Sequence, residues 1–185
     1  MVHLDGGLLA TASIEHHVGA DGVATTRLRA GEERLELGAA TGLNRLTVAP
    51  QRLMAERDAA FAAGERWSLW ASVCAALPAT MLGRGGVHGL CGPVLSDALW
   101  RAAARRAGLP VGVTVAARVL VVGERVVGPR RLAPHASAYR ALATVSATDV
   151  LEVAVDADGA IVTATCSPDL RAHGEWALLA LEAAW

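Results

Sequence analysis

The stretch VHGLCGPVLSDALWRAAARRAG, residues 87–108, decides how the rest of the chain is read. Its first half is rich in glycine and its second half has the period of a helix. Pro93 suits the opening of that helix, because proline lacks the N–H that a first turn leaves unpaired anyway. Leu95, Ala98, Leu99 and Ala102 fall on one side, the spacing expected of a stripe that faces a core. Arg101, Arg105 and Arg106 lie toward the far end, where positive charge suits the helix dipole, and Gly108 with Pro110 closes the element.

Upstream, Leu8 to Val18 reads as a strand, followed by the turn Gly19-Ala20-Asp21-Gly22 and a second strand from Val23 to Arg29. Asp-Gly between apolar stretches is a hairpin signal, since glycine supplies the positive φ of the turn. A further turn at Ala30-Gly31 leads into Glu33 to Leu37. Two helical stretches follow, PQRLMAERDAAF, stopped by Gly64, and ERWSLWASVCAAL, ended by Pro78. In the second, Trp70, Val73, Cys74 and Leu77 share one face, which makes Cys74 a core residue. Trp67, Trp70 and Trp100 also carry enough aromatic surface to line an aryl pocket.

Downstream, Val111 to Val122 is almost all small or β-branched. Gly123-Glu124 turns it back into Arg125 to Val127. Tyr139 to Ala147, Asp149 to Val155 and Ala160 to Cys166 read as three more strands, the last two joined by Asp156-Ala157-Asp158-Gly159. Ser167-Pro168 then caps a terminal helix with Leu170, Trp176, Leu178 and Leu181. Strands, helices, strands and one last helix indicate an α+β domain spanning residues 1–185, with a helical insertion at about 50–82.

Composition narrows the function. Hydrophobic residues make up 53% of the 185, enough for a proper core. A formal charge of −1 exerts no global pull toward nucleic acid or membrane. All 17 basic residues are arginine, which removes Schiff-base lysine chemistry and the phosphate-loop lysine. Cys74, Cys91 and Cys166 are odd in number and far apart, with no C-x-x-C pair. No signal segment opens the chain and no apolar run is long enough to span a bilayer, so a reduced cytoplasmic protein without disulfides is expected. His16 and His17 are neighbours on a strand and point to opposite faces. His3, His135 and His173 are scattered, so no metal site is expected, and no cofactor is implied.

The segment His88-Gly89-Leu90 through Leu95-Ser96-Asp97 resembles the hot-dog-fold thioesterases of the phenylacetate-pathway type. In that family a histidine–glycine pair stands at the mouth of the central helix and an aspartate lies further in. Asp97 is nine residues after His88, and Leu95 two before it, in the family register. Leu151 to Cys166 is similar to the closing hairpin of the same fold. The resemblance implies an antiparallel sheet wrapped around a central helix, with the helical insertion and the C-terminal helix added. It implies acyl-thioester hydrolysis, with Asp97 as general base or nucleophile. The amides near Gly89 and Leu90 would hold the oxyanion, and His88 would position the loop. The substrate would be an acyl-CoA or an acyl-carrier-protein thioester, and the site would be completed in a homodimer or homotetramer.

Arg130, Arg131 and Arg140 form a basic group suited to coenzyme A phosphates. Cys91, beside the expected helix start, offers a rival cysteine nucleophile assisted by His88. Two further alternatives stand. One is a hot-dog dehydratase or isomerase in which Asp97 moves a proton. The other is a non-catalytic acyl-binding or protein-interaction module, favoured by Leu90 where the family has glycine.

Overall fold

The computed structural model describes residues 6–50, 56–85 and 89–184. The chain forms two compact units, Met1–Cys91 and Gly92–Trp185.

The first unit opens with a short helix α1 (Gly6–Thr11), followed by β1 (Ser13–Val18), β2 (Ala24–Ala30) and β3 (Glu33–Glu36). These strands form an antiparallel meander in the order β1-β2-β3, with Ile14 opposite Leu28 and Leu28 opposite Leu35. Strict alternation sorts β2: Thr26, Leu28 and Ala30 are buried while Arg27 and Arg29 are exposed. Two-residue strands β4 (Gly42–Leu43) and β5 (Met81–Leu82) pair in parallel, and the long helix α2 (Glu56–Ala75) lies between them in sequence.

Helix α2 runs straight through Gly64, where two separate helices are expected from the sequence. One interior glycine costs a helix only about 1 kcal/mol. That is less than the face of Trp70, Val73, Cys74 and Leu77 gains by burial against Leu9, Leu28, Ala30 and Leu90. The residues predicted for this buried face are the ones that fill it.

The second unit carries helix α3 (Asp97–Arg106), β6 (Ala117–Val122), β7 (Arg125–Val127), α4 (Ala136–Val145), β8 (Val150–Val155), β9 (Ile161–Thr165) and α5 (Glu175–Glu182). Its four strands form one antiparallel sheet in the order β7-β6-β8-β9. All six residues of β8 are buried, as a central strand covered on both faces must be. Helix α4 packs on β6, β7 and β8, α5 on β6 and β7, and α3 on β9 and α4. The Asp156–Gly159 hairpin turn is closed by α4: Tyr139 donates its hydroxyl to the Gly159 carbonyl at 3.0 Å. Gly159 has φ +86, and a Cβ there would stand 2.9 Å from that hydroxyl.

This is not a hot-dog fold. Among the described residues the strands belong to three separate sheets, and none of these curls around a single helix. A helix wrapped by a sheet must be apolar on every side. Helix α3 is not: only Trp100 and Ala104 are buried, Leu99 is 55% exposed, and Asp97, Ala98 and Ala102 face solvent. The aliphatic stripe predicted to face the core is mostly on the outside. One wide tryptophan and one small alanine a turn apart make the contact instead. The stretch Tyr139 to Ala147, expected as a strand, is largely helix α4, because Tyr139, Leu142 and Ala143 bury one helical face against the sheet. Residues 8–11, expected to begin a strand, belong to α1.

One polar side chain holds the first unit's irregular backbone. Asn44 is 8% exposed. Its Nδ2 donates to the carbonyls of Gly83, at 2.9 Å, and Leu90, at 2.6 Å, while its Oδ1 accepts from the Leu46 amide at 3.1 Å. Gly83, at φ +68, lets the chain pass so close to the Asn44 carbonyl that a Cβ would collide with it. Asn44→Ala removes three hydrogen bonds to backbone groups in a buried corner. It is expected to destabilise the protein by about 3 kcal/mol, read as a lower urea midpoint with an unchanged slope.

Candidate functional site

The segment Arg45 to Pro50, pinned at its start by Asn44, forms one wall of a groove of about 690 Å³. Ala63 and Trp67 of α2 form the other wall. The far end of the segment is fixed by Arg66, whose Nη1 donates to the carbonyls of Pro50, at 3.2 Å, and Ala10, at 3.3 Å. Trp67 is 40% and Val48 73% exposed, so large apolar surface faces the groove or solvent beside the Arg45 guanidinium. A concave, mostly apolar surface with an exposed aromatic side chain is suited to a partner with apolar groups.

A chain of three hydrogen-bonding side chains crosses from the meander to α2. His16 on β1 lies opposite Thr26 on β2, and its Nδ1 is 2.8 Å from Thr26 Oγ1. Its Nε2 is 2.8 Å from Ser72 Oγ on α2. Strand alternation places His16 half-buried against the helix and leaves His17 exposed. The two histidines therefore have different surroundings.

The second unit buries a carboxylate. Glu152, 2% exposed in the middle of β8, pairs through Oε1 with Arg118 of β6. Its Oε2 is 3.0 Å from His173 Nε2 and accepts from the Asp169 amide at 3.1 Å. Burial pushes the Glu152 pKa up, but the hydrogen bonds and charges of His173 and Arg118 outweigh it and hold the carboxyl below its ordinary value of 4.5. The cluster ties the 3-10 turn Leu170–His173 to the sheet.

The residues singled out from sequence do not assemble as expected. Asp97 is the first residue of α3, exposed, and accepts from Thr163 Oγ1 of β9 at 2.7 Å, which fastens the helix to the strand. The helix is capped by Ser96, whose Oγ accepts from the Leu99 amide at 3.4 Å. Gly89 and Leu90 lie well before this first turn, in the first compact unit, so their amides are not those of the helix start. Leu90 is fully buried with its carbonyl on Asn44. His88 lies outside the described residues. Cys91 is buried among its neighbours and six residues short of α3. Burial raises its thiol pKa, with Arg45 pulling it only part of the way back. Burial likewise pushes Cys74 up to about 12, against a lowering hydrogen bond from Asn44. Burial of this kind opposes thiolate formation at both. Arg130 and Arg131 are exposed on a 3-10 turn, and Arg140 pairs with Glu124 at 2.9 Å. Of the three tryptophans, Trp70 and Trp100 are core and Trp67 alone reaches a groove.

Several of the placed residues escape sequence reading. Glu152 had a signal, a single charge inside the apolar run Val150–Val155. Ser72 had none, since its partner is 56 residues away. Among the described residues, no group of three or more His, Cys, Asp or Glu is placed to hold a metal ion. No described helix is long and apolar enough to cross a membrane.

No protein-family model matches the chain, and no curated protein matches it in sequence. Solved structures do resemble it. The macrocyclase MdnC of Microcystis aeruginosa MRC, bound with its precursor peptide MdnA, matches with a TM-score of 0.67 at 12% identity, over 98% of this chain and 88% of that one. The macrocyclase MdnB of the same organism matches with a TM-score of 0.54 at 8% identity, over 94% and 81%. At such identities the likeness defines the fold. It overturns the hot-dog thioesterase resemblance, and acyl-thioester hydrolysis by Asp97 goes with it. The dehydratase and acyl-binding alternatives and the acyl-CoA or acyl-carrier-protein substrate were drawn from the same fold and fall too. So does the homodimer or homotetramer, which was expected because hot-dog sites are completed across subunits.

Two measurements follow from this geometry. A carboxylate whose pKa is lower in the folded state stabilises the fold above its unfolded pKa, and that stability is lost as pH falls through the folded value. Unfolding free energy should therefore decline below about pH 4.5, and Glu152→Gln should flatten that decline. At neutral pH the same variant should cost about 3 kcal/mol in chemical denaturation. For the cysteines, native protein should resist iodoacetamide at pH 8 at Cys74 and Cys91, with both alkylated at once in denaturant, as read by peptide mass mapping.

Proposed function

We propose that this chain recognises a peptide, as the recognition part of a macrocyclase-type activity. The observation that carries this is the likeness, over nearly the whole chain, to a macrocyclase bound with its precursor peptide. The groove between Arg45–Pro50 and Trp67 supports it locally. It is held open by Asn44 and Arg66, so a ligand meets a wall already in place and little ordering entropy opposes binding. A linear peptide with apolar side chains for Trp67 and Val48 matches its chemistry. We further place the protein in a reducing, cytoplasmic compartment, in keeping with Cys74, Cys91 and Cys166 being thiols.

Selection from an mRNA-displayed library of random linear peptides tests the assignment. Sequences rich in apolar residues should be enriched, and Trp67→Ala should weaken their binding about 30-fold, a typical loss for a tryptophan anchor. No enrichment over a resin control rejects peptide recognition. Enrichment untouched by Trp67→Ala removes the groove as its seat.

A further inference from the structure

The geometry points to Ser72 as a nucleophile served by His16, a site for activated carboxylic acyl donors that does not depend on the peptide reading. Ser72 is exposed on α2, so an acyl group can reach its hydroxyl. His16 Nε2 lies 2.8 Å from that oxygen, within the range for direct proton transfer. On the other side of the ring, Thr26 Oγ1 lies 2.8 Å from Nδ1 and is 7% exposed, on a strand locked in register with His16. With Nδ1–H donating to Thr26, Nε2 carries the lone pair and accepts from Ser72. A nucleophile, a base and a group that orients the base are the three parts of such a site.

The helix does not need this polar chain to stay in place, because Trp70, Val73, Cys74 and Leu77 already seat α2. A purely structural contact between an exposed serine and a half-buried histidine adds little to that. In the reaction, Ser72 Oγ bonds to the acyl carbon and its proton passes to His16 Nε2. The tetrahedral adduct then collapses. The bond to the leaving oxygen breaks, and that oxygen takes the proton from Nε2, leaving acyl-Ser72 and a free alcohol. Thr26 acts as a positioning residue.

A fluorophosphonate probe tests the site on the full chain. Attack by Ser72 displaces fluoride and leaves a stable phosphonyl adduct that peptide mass mapping locates. The adduct is expected at Ser72 and absent in Ser72→Ala. In His16→Asn it should form about 100-fold more slowly, the usual contribution of a general base, with the helical circular-dichroism signal unchanged. Thr26→Val should slow labelling and Thr26→Ser restore it, which packing alone would not produce. If His16→Asn fails to fold, this pair of Thr26 variants decides. No adduct at Ser72, or labelling at the same rate in folded His16→Asn and Thr26→Val, overturns the inference.

Discussion

The first unit depends on one buried amide. Backbone outside helices and strands must still satisfy its polar groups, and Asn44, Leu46, Gly83 and Leu90 all lie outside α2 and the two-residue strands β4 and β5. Asn44 substitutes for a ladder by giving two protons and accepting one across three stretches of chain. The groove wall begins at the very next residue, Arg45, and Leu90 is seated by it. Alternative residues of similar size lack the combination of two donors and an acceptor on one rigid plane. The burial of Cys74 and Cys91, and the upward push it gives their thiol pKa values, follow from the same closely packed corner.

How far the sequence reaches is clearest at α2 and α3. At α2 the period of Trp70, Val73, Cys74 and Leu77 identified the buried face, because four large or compact apolar groups at helical spacing have only one way to be covered together. At α3 the same method chose the wrong side. Leu95, Leu99 and their alanine neighbours outnumber Trp100, but the single indole buries more surface than any one of them and so sets the rotation of the helix. Short apolar runs are also ambiguous in kind. Residues 139–147 suit a strand or a helix on composition, and only the sheet they pack against makes them helical. The most misleading element was the short motif around His88 and Asp97. Its spacing is compatible with several folds, and what distinguishes them, the course of strands far along the chain, is a tertiary property.

The candidate site was less legible than the fold. Trp67 was visible as an aromatic with an open role, but only Trp70 was given a place by the helical period, and nothing local to Trp67 marked a groove. The contact of His16 with Ser72 joins a strand to a helix across 56 positions, and no local pattern encodes such a meeting. Glu152 is the opposite case. A lone acid within a central strand must find partners or unfold the sheet, so its presence alone announces a neutralising group elsewhere in the chain.

That carboxylate has a bearing on how the protein can be dissected. Two of its contacts, the Asp169 amide and the His173 ring, come from beyond the last strand of the sheet. A fragment cut just after β9 would keep every strand yet strand a negative charge in a dry interior with Arg118 alone against it. The smallest autonomous piece of the second unit therefore extends at least through residue 173, and the four-stranded sheet by itself is not a folding unit.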